Sequence, residues 1–177
     1  GAAVAFDAWW AAEKKKRKTD YEVYTVNDQF YGTLANASGY YRGKKDHVDI
    51  YVPEKSQELV VTYVQEQRRT ATVFERDKAA SANPYDVFFG GNHGLMQLDT
   101  AQSGKRLLVI KDSYANCFLP FLIPYYKSIT VVDPRYYYDD LDKLIEEQGI
   151  QEILCLYNAN TFFSDDSLNE ILKKEVK

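Results

Sequence analysis

The stretch KRLLVIKDSYANCFLP, residues 105–120, constrains the fold more than any other part of the chain. Residues 107–110 form an unbroken apolar run between charged residues, the pattern of a strand buried on both faces as in a parallel sheet. The run ends at Lys111, Asp112 and Ser113. Apolar residues then recur at helical spacing through Tyr114, Ala115, Cys117, Phe118 and Leu119. Ser113 therefore sits where a buried strand hands over to a helix. Ligands of open α/β sheets bind at the carboxyl ends of the strands, and N–H groups at a helix start stabilise negative charge. A serine placed there is a candidate nucleophile for acyl transfer. Asp112 and Ser113 are equally good helix caps, so the pattern alone serves both roles.

Two more apolar runs, 129–132 and 153–157, follow at intervals that leave room for helices. The first intervening segment, 115–126, contains Pro120 and Pro124, which break or bend a helix. The second, 139–148, is followed by Gly149, a favoured residue just past a helix end. Residues 167–174 close the chain as a third helix. Alternating strands and helices predict an α/β fold with a parallel sheet and right-handed crossovers. A further strand is predicted over 85–89, before the turn GGNHG.

Upstream the style is different. Residues 21–26 and 48–52 alternate like strands, and 59–65 and 70–74 flank a polar turn as an antiparallel hairpin. Residues 27–43 are rich in Gly, Asn, Ser and Tyr and read as loop. The organisation expected is a single domain over 1–177, with a β-rich insertion or small antiparallel subsheet at 21–76 and the parallel core at 85–177. Residues 2–16 carry Phe6, Trp9 and Trp10 at helical spacing and run into Lys14, Lys15, Lys16, Arg17 and Lys18, charge that suits a helix C-terminus.

Composition narrows the function classes. A net charge of −4 with mixed signs argues against nucleic acid as a partner. No apolar run is long enough to span a membrane, and any secretory signal would have been removed or lie upstream. Cys117 and Cys155 each sit in an apolar run and read as buried thiols, although their state, free or bridged, stays open. No zinc-type Cys/His cluster exists, and nothing calls for a metal or cofactor.

Polar residues gather after the predicted strands: Ser113 after the first, Asp133 and Arg135 in VDPR after the second, Asn158 and Asn160 in LYNAN after the third. The turn of Gly90, Gly91, Asn92, His93 and Gly94 joins them if it reaches the same edge. A neutral serine needs a base, and the chain has only two histidines. His93 can serve; His47, beside Asp46, looks peripheral. Gly91 and Asn92 offer an N–H and an amide to an oxyanion, or the glycines merely permit a tight turn. Arg135 binds an anion or pairs with Asp133. Asp112 orients a base or caps. Asn158 donates to substrate or forms a turn.

The segments FFGGNHG, LLVIKDSYANCFLPFL, ITVVDPRYY and ILCLYN resemble the C-terminal half of the bacterial DHHW proteins, and GAAVAFDAWW resembles the helix after that family's name-giving motif. The resemblance implies a three-layer α/β/α fold like that of the SGNH hydrolases, related to the alginate O-acetyltransferase group. It also implies Ser113 as the serine of a GDS-type motif, with Lys111 where that motif has glycine. The family's Asp and His would lie just before Gly1, so the chain is expected to be a fragment without its main base, leaving His93 a secondary role. The function implied is an acyl esterase or O-acyltransferase acting on cell-surface or exported polysaccharide or another acylated substrate, outside the cell or anchored to its surface. The alternative is a non-catalytic module of the cell envelope that binds glycan or a protein partner, with Tyr40, Tyr41, Tyr136, Tyr137 and Tyr138 as its contact residues.

Overall fold

A computed structural model describes residues 19–173 except 33, 34, 36, 37, 42 and 56. The helix expected over 2–16 lies outside the described residues. The chain forms two compact units, one comprising Thr19–Ser56 and Phe74–Gly91, the other Gln57–Val73 and the described part of Asn92–Lys177.

The first unit contains a two-stranded antiparallel ribbon of β1 (Tyr21–Phe30) and β2 (Asp46–Pro53). β1 runs four residues beyond the expected strand, into the segment read as loop, with two irregularities in register near Asn27. The strand predicted over 85–89 is not formed. Pro84–Val87 is instead a 3-10 turn. Pro84 fixes its own φ and lacks a donor, the Asn83 side chain donates to Asp86 Oδ1 at 2.9 Å, and the Gly90 amide donates to the Asp86 carbonyl at 3.0 Å. Phe89, Gly90 and Gly91 then follow in the left-handed region, with φ of 63°, 80° and 123°. The apolar side chains are buried by a tight turn, not by a pleat.

The second unit is built on a six-stranded mixed sheet. Its strands are β3 (Leu59–Tyr63), β4 (Arg68–Thr70), β5 (Leu95–Thr100), β6 (Arg106–Lys111), β7 (Ser128–Val132) and β8 (Glu152–Leu156), in the order β4-β3-β5-β7-β6-β8. β6 pairs in parallel with β7 on one side and β8 on the other. These are the three apolar runs that predicted a parallel sheet. The remaining pairings, β3 with β4, β3 with β5 and β5 with β7, are antiparallel. The unit is therefore compatible with an α/β fold, but the sheet is mixed, with only two of its five pairings parallel, and not the parallel sheet expected. A hairpin forms here, but with a tighter turn than expected: its second strand is Arg68–Thr70, which shares only Thr70 with the expected 70–74, and it extends the main sheet and does not belong to a separate subsheet.

Alternation assigns the two faces. Leu95, Leu108, Ile110 and Val132 point to one side, where they cluster with Tyr137 and with Leu141 and Leu144 of helix α1 (Leu141–Gln148). Leu168 and Ile171 of α3 (Ser167–Leu172) pack against the same cluster. Each such buried side chain contributes about 1.5–3 kcal/mol of transfer free energy. The helix α1 is closed at both ends as its sequence requires. Asp140 Oδ1 accepts from the Lys143 amide at 2.9 Å, and Gly149 takes φ 59° as the left-handed cap. On the other side, by register, lie Val61, Tyr63, Met96, Leu98, Leu107, Val109, Ile129 and Val131, all buried.

The helix expected over 115–126 is also absent. Ser113–Ala115 and Leu119–Tyr125 are 3-10 segments. Pro120 and Pro124 each remove a donor from the α-helical ladder, so the chain tightens into short turns that bury Leu119, Phe121, Leu122 and Ile123. No helix among the described residues is long and apolar enough to cross a membrane.

Candidate active site

The register places the site. Ile110 lies opposite both Val132 and Cys155, so β6, β7 and β8 end together. β5 runs the other way and begins with Leu95 opposite Val132. The residues before β5 therefore reach the same rim as those after β6, β7 and β8. Asn92, His93, Ser113, Asp133, Arg135 and Asn158 are brought to this edge from four separate strands.

The centre of the rim is a pair that sequence reasoning did not single out. Lys111 and Asp133 are the next positions along two adjacent apolar rows, Leu107-Val109-Lys111 and Ile129-Val131-Asp133. Both have 0% exposure. Lys111 Nζ lies 3.3 Å from Asp133 Oδ2. Burial pushes the Lys111 ammonium below its ordinary pKa, and the neighbouring Asp133 carboxylate pulls the other way. Arg135 grips the same carboxylate as a fork, with Nε 2.9 Å from Oδ1 and Nη2 2.6 Å from Oδ2. That hydrogen bonding holds the guanidinium above its usual range. Of the two roles open to Arg135, the structure shows the pairing with Asp133.

Ser113 follows this pair on the turn that leaves β6 and is half-buried. Asp112, almost fully buried, binds in two directions. Its Oδ1 accepts from the Tyr114 amide at 3.0 Å, and its Oδ2 accepts from the Asn158 amide at 3.2 Å. Asp112 is thus the cap of the Ser113 turn and also the tie between the ends of β6 and β8. The Asn158 side chain caps in turn: its Oδ1 accepts from the Asn160 amide at 2.8 Å and opens helix α2 (Ala159–Ser164).

Asn92 is exposed, yet its Oδ1 accepts from two donors, Lys111 Nζ at 3.3 Å and Asn116 Nδ2 at 3.2 Å. Next to it, His93 Nδ1 lies 2.6 Å from Glu66 Oε1, and its ring packs edge-on against Tyr63 at 4.6 Å between centroids. Burial alone would raise the Glu66 pKa, but the hydrogen bond with His93 and the charges of His93 and Arg68 hold it below the usual value. Glu66 lies in the turn of the β3–β4 hairpin, so this carboxylate–imidazole pair is also assembled across strands. Gly94 completes the approach. A Cβ there would lie 2.2 Å from the Tyr136 carbonyl oxygen, so the close passage of these two backbones requires glycine. Gly91 belongs to the other unit, and its amide donates to the Phe88 carbonyl at 3.3 Å.

Four residues at or near this rim escaped sequence reasoning as participants: Lys111 as its buried centre, Asn116, Glu66 and Tyr157. Tyr157 ends the β8 run with a buried hydroxyl that has no hydrogen-bond partner among the described residues. Burial, and then the charges of Asp133, Cys155 and Asp112, push its pKa up. A lysine that continues the inward-facing parity of an apolar strand was the available signal for Lys111. Nothing local marks the others. Both cysteines are free, but neither is the buried thiol expected: Cys117 is half-buried and Cys155, on the edge strand β8, is exposed. Among the described residues no group of three or more His, Cys, Asp or Glu is placed to hold a metal.

The chain is similar in fold to a DHHW family protein. That protein, from Eubacterium siraeum, superposes with a TM-score of 0.78 at 24% identity over 97% of this chain and 61% of its own. Bacillus cereus PatB1 carrying a sulfonyl adduct matches with a TM-score of 0.65 at 17% identity, over 88% of this chain and 56% of its own. A second PatB1 structure matches with a TM-score of 0.55 at 20% identity, over 81% of this chain and 47% of its own. This chain thus spans about half to three-fifths of the length of each, and the likeness is one of fold. No family model matches the chain, and no curated protein sequence does.

Proposed function

We propose that this chain is the serine-bearing part of an SGNH-like acyl esterase or O-acyltransferase with a three-layer α/β/α core. Ser113 is the nucleophile. The observation that carries the proposal is its position: a half-buried hydroxyl on the turn after the central parallel strand, at the rim where Asn92 also arrives. Ser113 Oγ would attack an acyl carbonyl, passing its proton to a base. The Asn92 amide and the Ser113 N–H would hold the oxyanion that forms. The base is the Asp–His pair that the DHHW resemblance puts upstream of Gly1, with His93, held by Glu66, in a secondary role. Arg135 and Asn158 support the site from behind, one on Asp133 and one through Asp112. Gly91 is not needed as a donor, since its amide has a partner in its own turn.

The likeness to PatB1 supports this reading, because a sulfonyl adduct forms when a protein nucleophile attacks an electrophilic sulfur. The substrate class proposed is an acylated or acyl-accepting polysaccharide outside the cell. The test is labelling of the full-length protein with a fluorophosphonate probe, with Ser113→Ala alongside. Labelling at Ser113 that disappears in Ser113→Ala is expected. Labelling that survives Ser113→Ala would remove the serine mechanism and leave the glycan- or protein-binding module as the better account.

A further inference from the structure

We infer that Lys111 is a positioning residue that aims the Asn92 side chain, and that this is what a lysine at the position of the GDS glycine does. The inference rests on the proposed acyl-transfer reading only for its catalytic consequence; its geometric content stands apart.

An asparagine side chain can be turned either way about its last bond, and only its surroundings decide which end is the acceptor. Here the surroundings decide firmly. Lys111 Nζ can only donate, and it lies 3.3 Å from one end of the Asn92 amide. Asn116 Nδ2 donates to the same end at 3.2 Å. With a lysine ammonium there, that end must be the oxygen, because the reversed amide would set N–H groups against the ammonium; the Asn116 amide, which can turn in the same way, then presents its NH2 to that oxygen. The Asn92 NH2 group lies across the planar amide from both donors, and Asn92 is exposed while Lys111 and Asn116 are buried. The amide donors are therefore turned away from the buried lysine and toward the open rim. Asp133 favours the charged form of the device, because its Oδ2 lies 3.3 Å from Lys111 Nζ and opposes the effect of burial on the ammonium. The chain from anion to donor runs Asp133, Lys111, Asn92, and its last member presents N–H groups at the edge that carries Ser113.

The arrangement gives Lys111 a task distinct from catalysis by contact. A preorganised amide that needs no reorientation when charge develops is the kind of donor that lowers a barrier, and loss of one such donor slows turnover by about 10²–10³-fold. Lys111→Met keeps the length and apolar stem but removes the pull on Oδ1. Asn116 still donates, so the loss expected is smaller, about 10-fold in the rate of Ser113 labelling. Asn92→Asp is the complementary change. It keeps the shape and gives Lys111 a carboxylate, but has no N–H to offer; stability is expected to be kept while labelling falls about 10²-fold.

The experiment uses the full-length protein and two readouts. The first is the Asn92 side-chain 15N signal, assigned by its loss in Asn92→Asp. It is expected to sit away from the position of a free amide in the wild type and to move back toward it in Lys111→Met. The second is the rate of fluorophosphonate labelling at Ser113 in the same variants. An Asn92 signal unmoved by Lys111→Met overturns the inference, whatever the labelling rate. Equal labelling rates in wild type, Lys111→Met and Asn92→Asp overturn its catalytic part. A wild type that takes no label, with an Asn92 signal that still answers to Lys111→Met, defeats the acyl-transfer reading and upholds the positioning.

Discussion

Asp133 and Lys111 form one buried pair, yet their removal is expected to have very different effects. Asp133→Asn keeps the shape of the side chain and deletes the anion. It leaves Lys111, with 0% exposure, and Arg135, only 26% exposed at its side chain, with no carboxylate between them. Breaking a buried pair by removing one partner costs about 3–5 kcal/mol, most of it from the charge left behind. Lys111→Met deletes the ammonium instead. Asp133 still has the Arg135 fork at 2.9 and 2.6 Å and the Arg135 amide at 3.3 Å, and Asn92 Oδ1 still has Asn116. No buried charge is stranded, and a cost of about 1 kcal/mol is expected, the scale of a single hydrogen bond. The difference of about 2–4 kcal/mol corresponds to urea midpoints ~1–2 M apart, for a slope of about 2 kcal/mol/M. Urea titration of both variants at pH 7, followed by far-UV circular dichroism, reads this directly. The double variant should recover part of the Asp133→Asn loss, because the stranded ammonium is then gone. Coincident midpoints for the two single variants, or a lower midpoint for Lys111→Met, would refute the assignment of Asp133 as the shared anion.

The penalty in Asp133→Asn should also depend on pH. The folded-state pKa of Lys111 lies below its ordinary 10.5, chiefly through burial, so between the two values the unfolded chain binds more protons and stability rises with pH. Losing Asp133 extends that window downward, and the stability gap to wild type, measured by urea titration at pH 7 and pH 9.5, should narrow; a constant or widening gap would show that Lys111 is not the group responsible. Gly94→Ala should be severely destabilising, because its Cβ would lie 2.2 Å from the Tyr136 carbonyl oxygen, and 2.7 Å from Gln65 Nε2, while the Gly94 carbonyl is held by the Asp133 amide at 3.1 Å. A loss at or beyond the upper end of the ~1–3 kcal/mol typical of overpacking corresponds to a Tm lower by about 6–12 °C, and a scan showing less than ~2 °C would contradict the close approach.

β6 and β7 were legible because each is an apolar run buried on both faces and bounded by charge; β8 is equally apolar in sequence, but as the edge strand it leaves Ile153 and Cys155 exposed. α1 was legible because Asp140 and Gly149 mark its ends. β5 was not, since Gln97 and Asp99 break its apolar character, and its pairing partner β7 lies about thirty residues away along the chain. The apolar run at 85–89 predicts a strand, but Pro84, Asn83 and three successive left-handed residues make it a turn. Between 115 and 126 the apolar spacing predicts a helix bent or broken by its prolines, but Pro120 and Pro124 leave only 3-10 geometry. At the rim, Ser113, Asp133 and Asn158 were visible as the first polar residues after buried strands. Lys111 was noticed only as a departure from glycine. Its burial follows from the parity of β6, and its partner follows from the register with β7, which a single strand does not disclose. Glu66 looked like an ordinary hairpin turn residue; its contact with His93 needs β3 beside β5.

The Asp112 carboxylate receives the backbone of Asn158, 46 positions later in the chain. During N-to-C synthesis the loop bearing Ser113 must therefore wait for β8 before its aspartate is fully satisfied. Until then the hydrogen bond that holds the Asp112 carboxylate comes from the Tyr114 amide of its own turn. Maturation of the serine loop is thereby coupled to arrival of the last strand, and truncation before Asn158 would leave an otherwise intact β6 ending in a loosely tethered nucleophile.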